Sequence, residues 1–198
     1  MRVGILGGTF NPPHLGHLIC AQEAYLQLKL DRVTLIPARI PPHKPVDDEP
    51  GPEHRLELCR VAVGGDDRFD VSDVEIRREG PSYTVDTLEL LHSREPESEL
   101  FLIVGGDIAA GLPSWREPER VLSLATLAVA GRRGTSRAEV DDALSGLPGG
   151  ERAEFFHMPT IGIASTVLRR RVRAGESIRY YVPDAVVGYI DRHRLYGG

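Results

Sequence analysis

A chain of 198 residues, 41% hydrophobic and 27% charged, is long enough to bury one core that needs no staples. Its net charge of −5 argues against a broad nucleic-acid-binding face, and no apolar run approaches the length of a membrane span. Two cysteines, Cys20 and Cys59, are too few for a disulfide framework or a zinc site, so a reducing cytoplasm is the expected setting.

Met1 to Leu6 reads as a short buried strand, and the polar turn after it comes too soon for a signal-peptide core. That strand runs into Gly7-Gly8-Thr9-Phe10-Asn11-Pro12-Pro13-His14-Leu15-Gly16-His17. Leu18, Ala21, Tyr25 and Leu28 then recur at helical spacing and predict a helix to about Leu30. Val33 to Pro37 is a strand ended by proline. Residues 38–52 have no periodicity and are rich in proline, which predicts a long loop, a place where function often sits. Glu53 to Val63 returns to helical spacing. Phe69–Val71 and Val74–Ile76 alternate as strands with one exposed face. Ser82 is placed to cap a helix from Tyr83 to His92.

Leu100–Val104 is the clearest buried strand and ends at Gly105-Gly106-Asp107. A Pro113/Trp115 turn introduces a helix from Glu117 to Leu124, and Thr126–Ala130 is a second buried strand, closed by Gly131-Arg132. A short helix over Ala138–Leu144 and an edge strand over Phe155–Met158 follow. Ser165 reads as the cap of a helix to about Ala174 with Gly175 beyond its end, and Pro183 to Leu195 is the final helix. Strands alternating with helices predict an α/β fold, a Rossmann-like doubly wound parallel sheet with helices on both faces. One domain is expected over 1–198, with a helical C-terminal part from about 165 to 198. Ligands of such sheets bind beyond the carboxyl ends of the strands.

The opening motif carries the most chemistry. A strand that ends in a glycine turn and feeds a helix presents backbone N–H groups and a positive dipole end. His14 and His17, three apart at the helix start, share a face with those donors. This arrangement suits a polyphosphate. A dehydrogenase would need three glycines at a different spacing and an acid after the second strand, where Ile36-Pro37 stands instead. Ser165 and Thr166, with Arg169 four beyond Ser165, form a second candidate anion site; taken alone it is an ordinary capped helix. Ser82-Tyr83-Thr84 reads equally as a plain cap or as a seat for a small carboxylate. Trp115 reads equally as core or as a platform for a flat ring. Lys44, one of only two lysines, lies in the proline-rich loop, within reach of a phosphate or simply solvated.

Gly7-Gly8-Thr9-Phe10…His14-Leu15-Gly16-His17, followed by Ser165-Thr166…Arg169, resembles the nucleotidyltransferase superfamily. Pro42-His43-Lys44, Arg55-Leu56, Ser82-Tyr83-Thr84, Gly106-Asp107, Trp115, Arg132 and Tyr181-Val182-Pro183 fall in the order found in bacterial nicotinate-nucleotide adenylyltransferases. The resemblance spans nearly the whole chain. It implies an enzyme of NAD biosynthesis that joins ATP and nicotinate mononucleotide and releases pyrophosphate. His14, His17, Lys44 and Arg169 would then be catalytic and hold ATP phosphates. Gly7, Gly8, Thr9, Phe10, Gly106, Asp107, Arg132, Ser165 and Thr166 would line the ATP site, with the Gly106-Asp107 segment at the nucleotide ribose. Ser82, Tyr83, Thr84 and Trp115 would hold the nicotinate. No residue-held metal is expected; Mg²⁺ would arrive on the ATP phosphates. The partners are small molecules, without nucleic acid or membrane, and a homo-oligomer is left open. Asn11, Gly106, Ala164 and Arg133 depart from residues common in that family without removing a charged contact. Rival readings are a sister enzyme that adenylates phosphopantetheine or transfers CMP, a nucleotide sensor without turnover, and a fragment of an aminoacyl-tRNA synthetase.

Overall fold

The computed structural model describes residues 1–42, 50–131 and 136–197. Its strands are β1 (Arg2–Gly8), β2 (Arg32–Pro37), β3 (Phe69–Val71), β4 (Glu99–Gly105), β5 (Ala125–Gly131) and β6 (Glu154–His157), in the sheet order β3-β2-β1-β4-β5-β6. The pairs β1/β4, β4/β5 and β5/β6 are parallel. From β1 the chain winds outward to β2 and β3, and from β4 it winds the other way to β5 and β6. Winding outward in opposite directions from the two central strands, with helices between strands, is the doubly wound arrangement expected. The strand order reverses between β1 and β4.

The helices are α1 (Leu15–Gln27), α2 (Pro52–Val63), α3 (Val74–Arg77), α4 (Thr84–Arg94), α5 (Gly106–Ala110), α6 (Pro118–Leu124), α7 (Arg137–Leu144), α8 (Ser165–Arg173) and α9 (Asp184–His193). Most elements lie within a residue or two of the positions predicted, and three readings change. Val74–Arg77 is one turn of helix, not a strand: Val74, Glu75 and Ile76 are all buried, which a strand with one exposed face does not allow. Ser82 is not a helix cap; Tyr83 holds that position, and Ser82 accepts a bond from the Arg39 N–H at 2.9 Å. Ser165 is the first residue inside α8 rather than its cap, which is Ala164. The short α5 carries no signal in the sequence, because it starts on glycine and has no side-chain cap. No helix among the described residues is long and apolar enough to cross a membrane.

The chain divides into two compact units. The first comprises residues 1–7, 20–34 and 83–160, and its core is built on β4 and β5, where Leu100–Ile103 and Leu127–Ala130 are buried. The second comprises 8–19, 35–82 and 161–198, and centres on Leu58, Leu168, Ile178, Val182, Val186 and Ile190. In the first unit, a Cβ at Gly4 of β1 would stand 2.7 Å from Leu30 Cδ1, 2.9 Å from Ile103 Cδ1 and 3.1 Å from Val33 Cγ2. Gly4→Val is therefore expected to lower stability by about 1–3 kcal/mol, the scale of overpacking; a urea midpoint equal to that of the wild type would contradict this.

Candidate active site

His14 ends the loop after β1, and its carbonyl accepts the first bond of α1, from the Leu18 N–H at 3.3 Å. His14 is thus the cap residue and His17 the third residue of the helix. The His14 N–H donates to His17 Nδ1 at 3.2 Å. A side chain at the third helical position reaching back to the cap N–H is half of a capping box, with imidazole in place of the usual carboxylate. This bond makes Nδ1 of His17 an acceptor, which leaves Nε2 as the ring's donor. The two rings stack with centroids 3.8 Å apart and planes at 22°. A Cβ at Gly16 would stand 3.1 Å from the His14 ring, so only glycine lets the ring lie this close.

Phe10 is buried, with a positive φ of 50°, and meets His17 edge-on at 5.0 Å. Its ring supports the histidines from behind. The Leu15 N–H, at the helix start, donates to the Tyr181 carbonyl at 2.9 Å. One of the backbone donors anticipated for an anion is therefore already used, and the imidazoles take a larger share of the site.

The late motif docks directly on this loop. Ser165 Oγ donates to the Pro12 carbonyl at 2.9 Å, and Arg169 Nη1 donates to the Asn11 carbonyl at 2.9 Å. Thr166 is exposed beside them at the start of α8. From below, the fully buried Arg55 donates through Nη1 to the Thr9 carbonyl at 2.9 Å and through Nη2 to the Arg39 carbonyl at 3.1 Å. The Ala38 N–H donates to the Gly8 carbonyl at 2.9 Å. Thr9, Phe10, His14, His17, Ser165, Thr166 and Arg169 are thereby gathered in the second unit, with Gly8 at its edge. In the sequence Arg55 is only a motif position, and its clamping role has no spacing signal.

A profile of the cytidylyltransferase-like family matches residues 5–171. A protein of Roseiflexus sp. (strain RS-1), named "Probable nicotinate-nucleotide adenylyltransferase", is 47% identical over 196 residues, 98% of this chain and 97% of that protein. The chain belongs to this family. A Thermus thermophilus protein of the same name is 44% identical over 196 residues, covering 99% of this chain and 100% of that one. Plasmodium falciparum nicotinic acid mononucleotide adenylyltransferase complexed with NaAD superposes with a TM-score of 0.77 at 18% identity, over 98% of this chain and 97% of that one. At that identity the likeness speaks for the fold.

Of the remaining residues that the adenylyltransferase resemblance singled out, Ser82 lies in the second unit, and the others lie in the first unit or outside the described residues. Gly7 ends that unit's part of β1; Gly106 is buried and Asp107 exposed at the start of α5, directly after β4. Trp115 is half-buried and follows a 3-10 turn, its N–H bonded to the Leu112 carbonyl at 2.9 Å. The neighbouring Arg116 places its guanidinium 4.8 Å over the Tyr83 ring, which joins the tryptophan turn to the start of α4 where Thr84 sits. Lys44 and Arg132 fall outside the described residues.

Burial holds the His14 imidazole at a pKa of about 4, well below its ordinary 6.5, so the ring is neutral at pH 7. The set of cationic groups suggested by the motif thus contains one that starts uncharged in the free protein. In the unfolded chain the ring gains its proton near pH 6.5, and in the folded chain only near 4. Its contribution is fully present above pH 6.5 and is lost as pH falls toward 4, by roughly 3 kcal/mol. Between pH 7 and 4 the urea-unfolding free energy of the wild type is expected to fall by about that much more than that of His14→Asn; equal falls would mean the ring is not held neutral.

Proposed function

We propose that the chain transfers the adenylyl group of ATP to the 5′-phosphate of nicotinate mononucleotide, giving nicotinate adenine dinucleotide and pyrophosphate, as a step of NAD biosynthesis. The observation that carries this reading is the docking of the Ser165/Arg169 turn onto the loop that bears the stacked histidines, in a chain 47% identical to a relative of that name. Residues 1–198 act as one nucleotidyltransferase domain, with the C-terminal helical part supplying the second phosphate motif. Neither Cys20 nor Cys59 forms a disulfide, which suits a cytoplasmic setting.

The attacking group is a phosphate monoester with a second pKa near 6, already ionised at neutral pH. It needs no general base. What the reaction needs is in-line placement and stabilisation of the charge that grows on the leaving pyrophosphate. His17 supplies an Nε2–H donor; Arg169 and Lys44 supply positive charge. His14 starts neutral, and the negative charge of a bound polyphosphate favours its protonated form. Thr9, Thr166 and the Ser165 backbone N–H add donors at the phosphates, Gly106-Asp107 meets the ribose, and Arg132 adds a further cation on the ATP side. ATP is taken up with a divalent cation as part of the substrate, Mg²⁺ in this reading, carried by phosphate oxygens.

Tyr83 and Thr84 at the start of α4 receive the nicotinate carboxylate, and Trp115 stacks on the ring. Ser82, the other residue of that motif, is bonded to the 39–40 backbone on both sides: its Oγ accepts from the Arg39 N–H at 2.9 Å, and its own N–H donates to the Ile40 carbonyl at 2.9 Å.

His17→Ala is expected to lower kcat for dinucleotide formation by at least roughly a hundredfold, the scale of losing one charge-stabilising donor. Near-normal turnover would remove the histidine from the chemistry. If a helix start binds the carboxylate, kcat/KM for nicotinate mononucleotide exceeds that for the nicotinamide analogue; equal values would refute the carboxylate seat at Tyr83 and Thr84.

A further inference from the structure

The Asn11 side chain has a polar atom that no part of the mechanism yet uses. Asn11 is 3% exposed, in the loop between Phe10 and His14. Its Oδ1 accepts a hydrogen bond from the Tyr196 hydroxyl at 2.6 Å. That length falls in the O–H···O range and below the usual N–H···O range, so it is the amide oxygen, not the nitrogen, that faces the tyrosine. Nδ2 is consequently turned to the other side, where it is buried with no partner among the described residues. A buried donor without an acceptor costs about 1–3 kcal/mol.

The surroundings of this amide are all of one kind. The Asn11 carbonyl accepts from Arg169 Nη1, and the Nε of the same guanidinium is also buried without a partner. Three residues on, His14 Nδ1 is buried without one too. Three unsatisfied nitrogens thus belong to one four-residue segment and the arginine docked on it. A bound anion supplies the acceptors that the amide N–H and the guanidinium N–H lack.

We propose that the Asn11 Nδ2 group is a further phosphate-binding donor, and that Tyr196, 185 residues away in sequence, is the positioning residue that aims it. This rests on the reading of the histidine loop as a phosphate site. The tyrosine hydroxyl holds Oδ1 away from the anion, where a carbonyl oxygen would repel it, and presents the NH₂ instead. A chain position near the C-terminus thereby sets the polarity of the loop near the N-terminus.

The test is titration calorimetry of inorganic tripolyphosphate against wild type, Asn11→Ala, Tyr196→Phe and the double variant, with ATP and mononucleotide kinetics in parallel. Asn11→Ala is expected to weaken tripolyphosphate binding by about tenfold or more, and Tyr196→Phe by a few-fold, the scale of one hydrogen bond to a charged group. The double variant should bind no more weakly than Asn11→Ala alone, because the hydroxyl acts only through the amide. KM for ATP should rise in the single variants while KM for nicotinate mononucleotide stays put; a general loss of packing would move both. Wild-type affinity in Asn11→Ala, or additive losses in the double variant, overturns the proposal. Should Asn11→Ala not fold, Asn11→Asp keeps the volume and replaces the donor with an acceptor, and must weaken binding further than Tyr196→Phe. A wild type that fails to bind tripolyphosphate defeats the phosphate reading itself. A wild type that forms the dinucleotide, with Asn11→Ala binding unchanged, defeats only the role given to Asn11.

Discussion

Everything at this site depends on how the segment Asn11-Pro12-Pro13 is held. Two successive prolines have no N–H to give, so the segment cannot join a sheet ladder or close a hydrogen-bonded turn of its own. It is nonetheless buried, and its carbonyls need donors. Those donors come from far along the chain: Arg169 for the Asn11 carbonyl and Ser165 for the Pro12 carbonyl. Just upstream, Arg55 serves the Thr9 carbonyl. Because the loop cannot satisfy itself, the late turn must dock on it. The same requirement that folds the loop brings an arginine and two hydroxyl-bearing residues beside the histidines.

This dependence gives the loop cations a double use. Arg55, wholly buried, gives its guanidinium to loop carbonyls, while Arg169 commits part of its own to the Asn11 carbonyl, which fixes its plane. A preset donor needs little reorganisation when charge develops, which is why such donors are effective in phosphoryl and adenylyl transfer. The histidines follow the same logic at smaller scale. The backbone bond into His17 Nδ1 fixes its tautomer, Phe10 closes one side of its ring, and the stack holds His14 against it. Gly16 is the condition for that stack, since any side chain there would press on the His14 ring.

How much of this is legible in the sequence follows from the range of the interactions involved. The strands β4 and β5 are continuous apolar runs, and their pattern declares them. The histidine motif is local: cap and third helical residue are three apart, so spacing alone puts both rings on one face. Readings fail where a side chain chooses a distant partner over a near one. Ser82 and Ser165 both look like caps, since a serine before a helix ordinarily bonds the helix's own N–H groups. Here each turns instead to a loop that lacks donors or acceptors, at Arg39 and at Pro12. The Val74–Ile76 reading fails for a different reason: alternation of apolar and polar residues implies an exposed face only if the polar residue is solvated, and Glu75 is buried.

The same reasoning explains why the buried polar residues are the least legible part of such a site. An arginine in a helical stretch, as at position 55, gives no sign in sequence that it is wholly enclosed, and a tyrosine near the chain's end gives none that it meets residue 11. Both are recognisable only once the carbonyls and amides they serve are known to be out of water. Hydrophobic pattern therefore declares where the sheet runs, while the polar groups that pattern would leave exposed are those that hold the histidine loop. A protein whose ligand is strongly charged has to bury donors without pairing them, and it can do so only where other donors have first fixed the backbone. In this chain that ordering runs from Arg55, Ser165 and Arg169, which take the loop carbonyls, to the Asn11 amide nitrogen, which is left unpaired among the described residues.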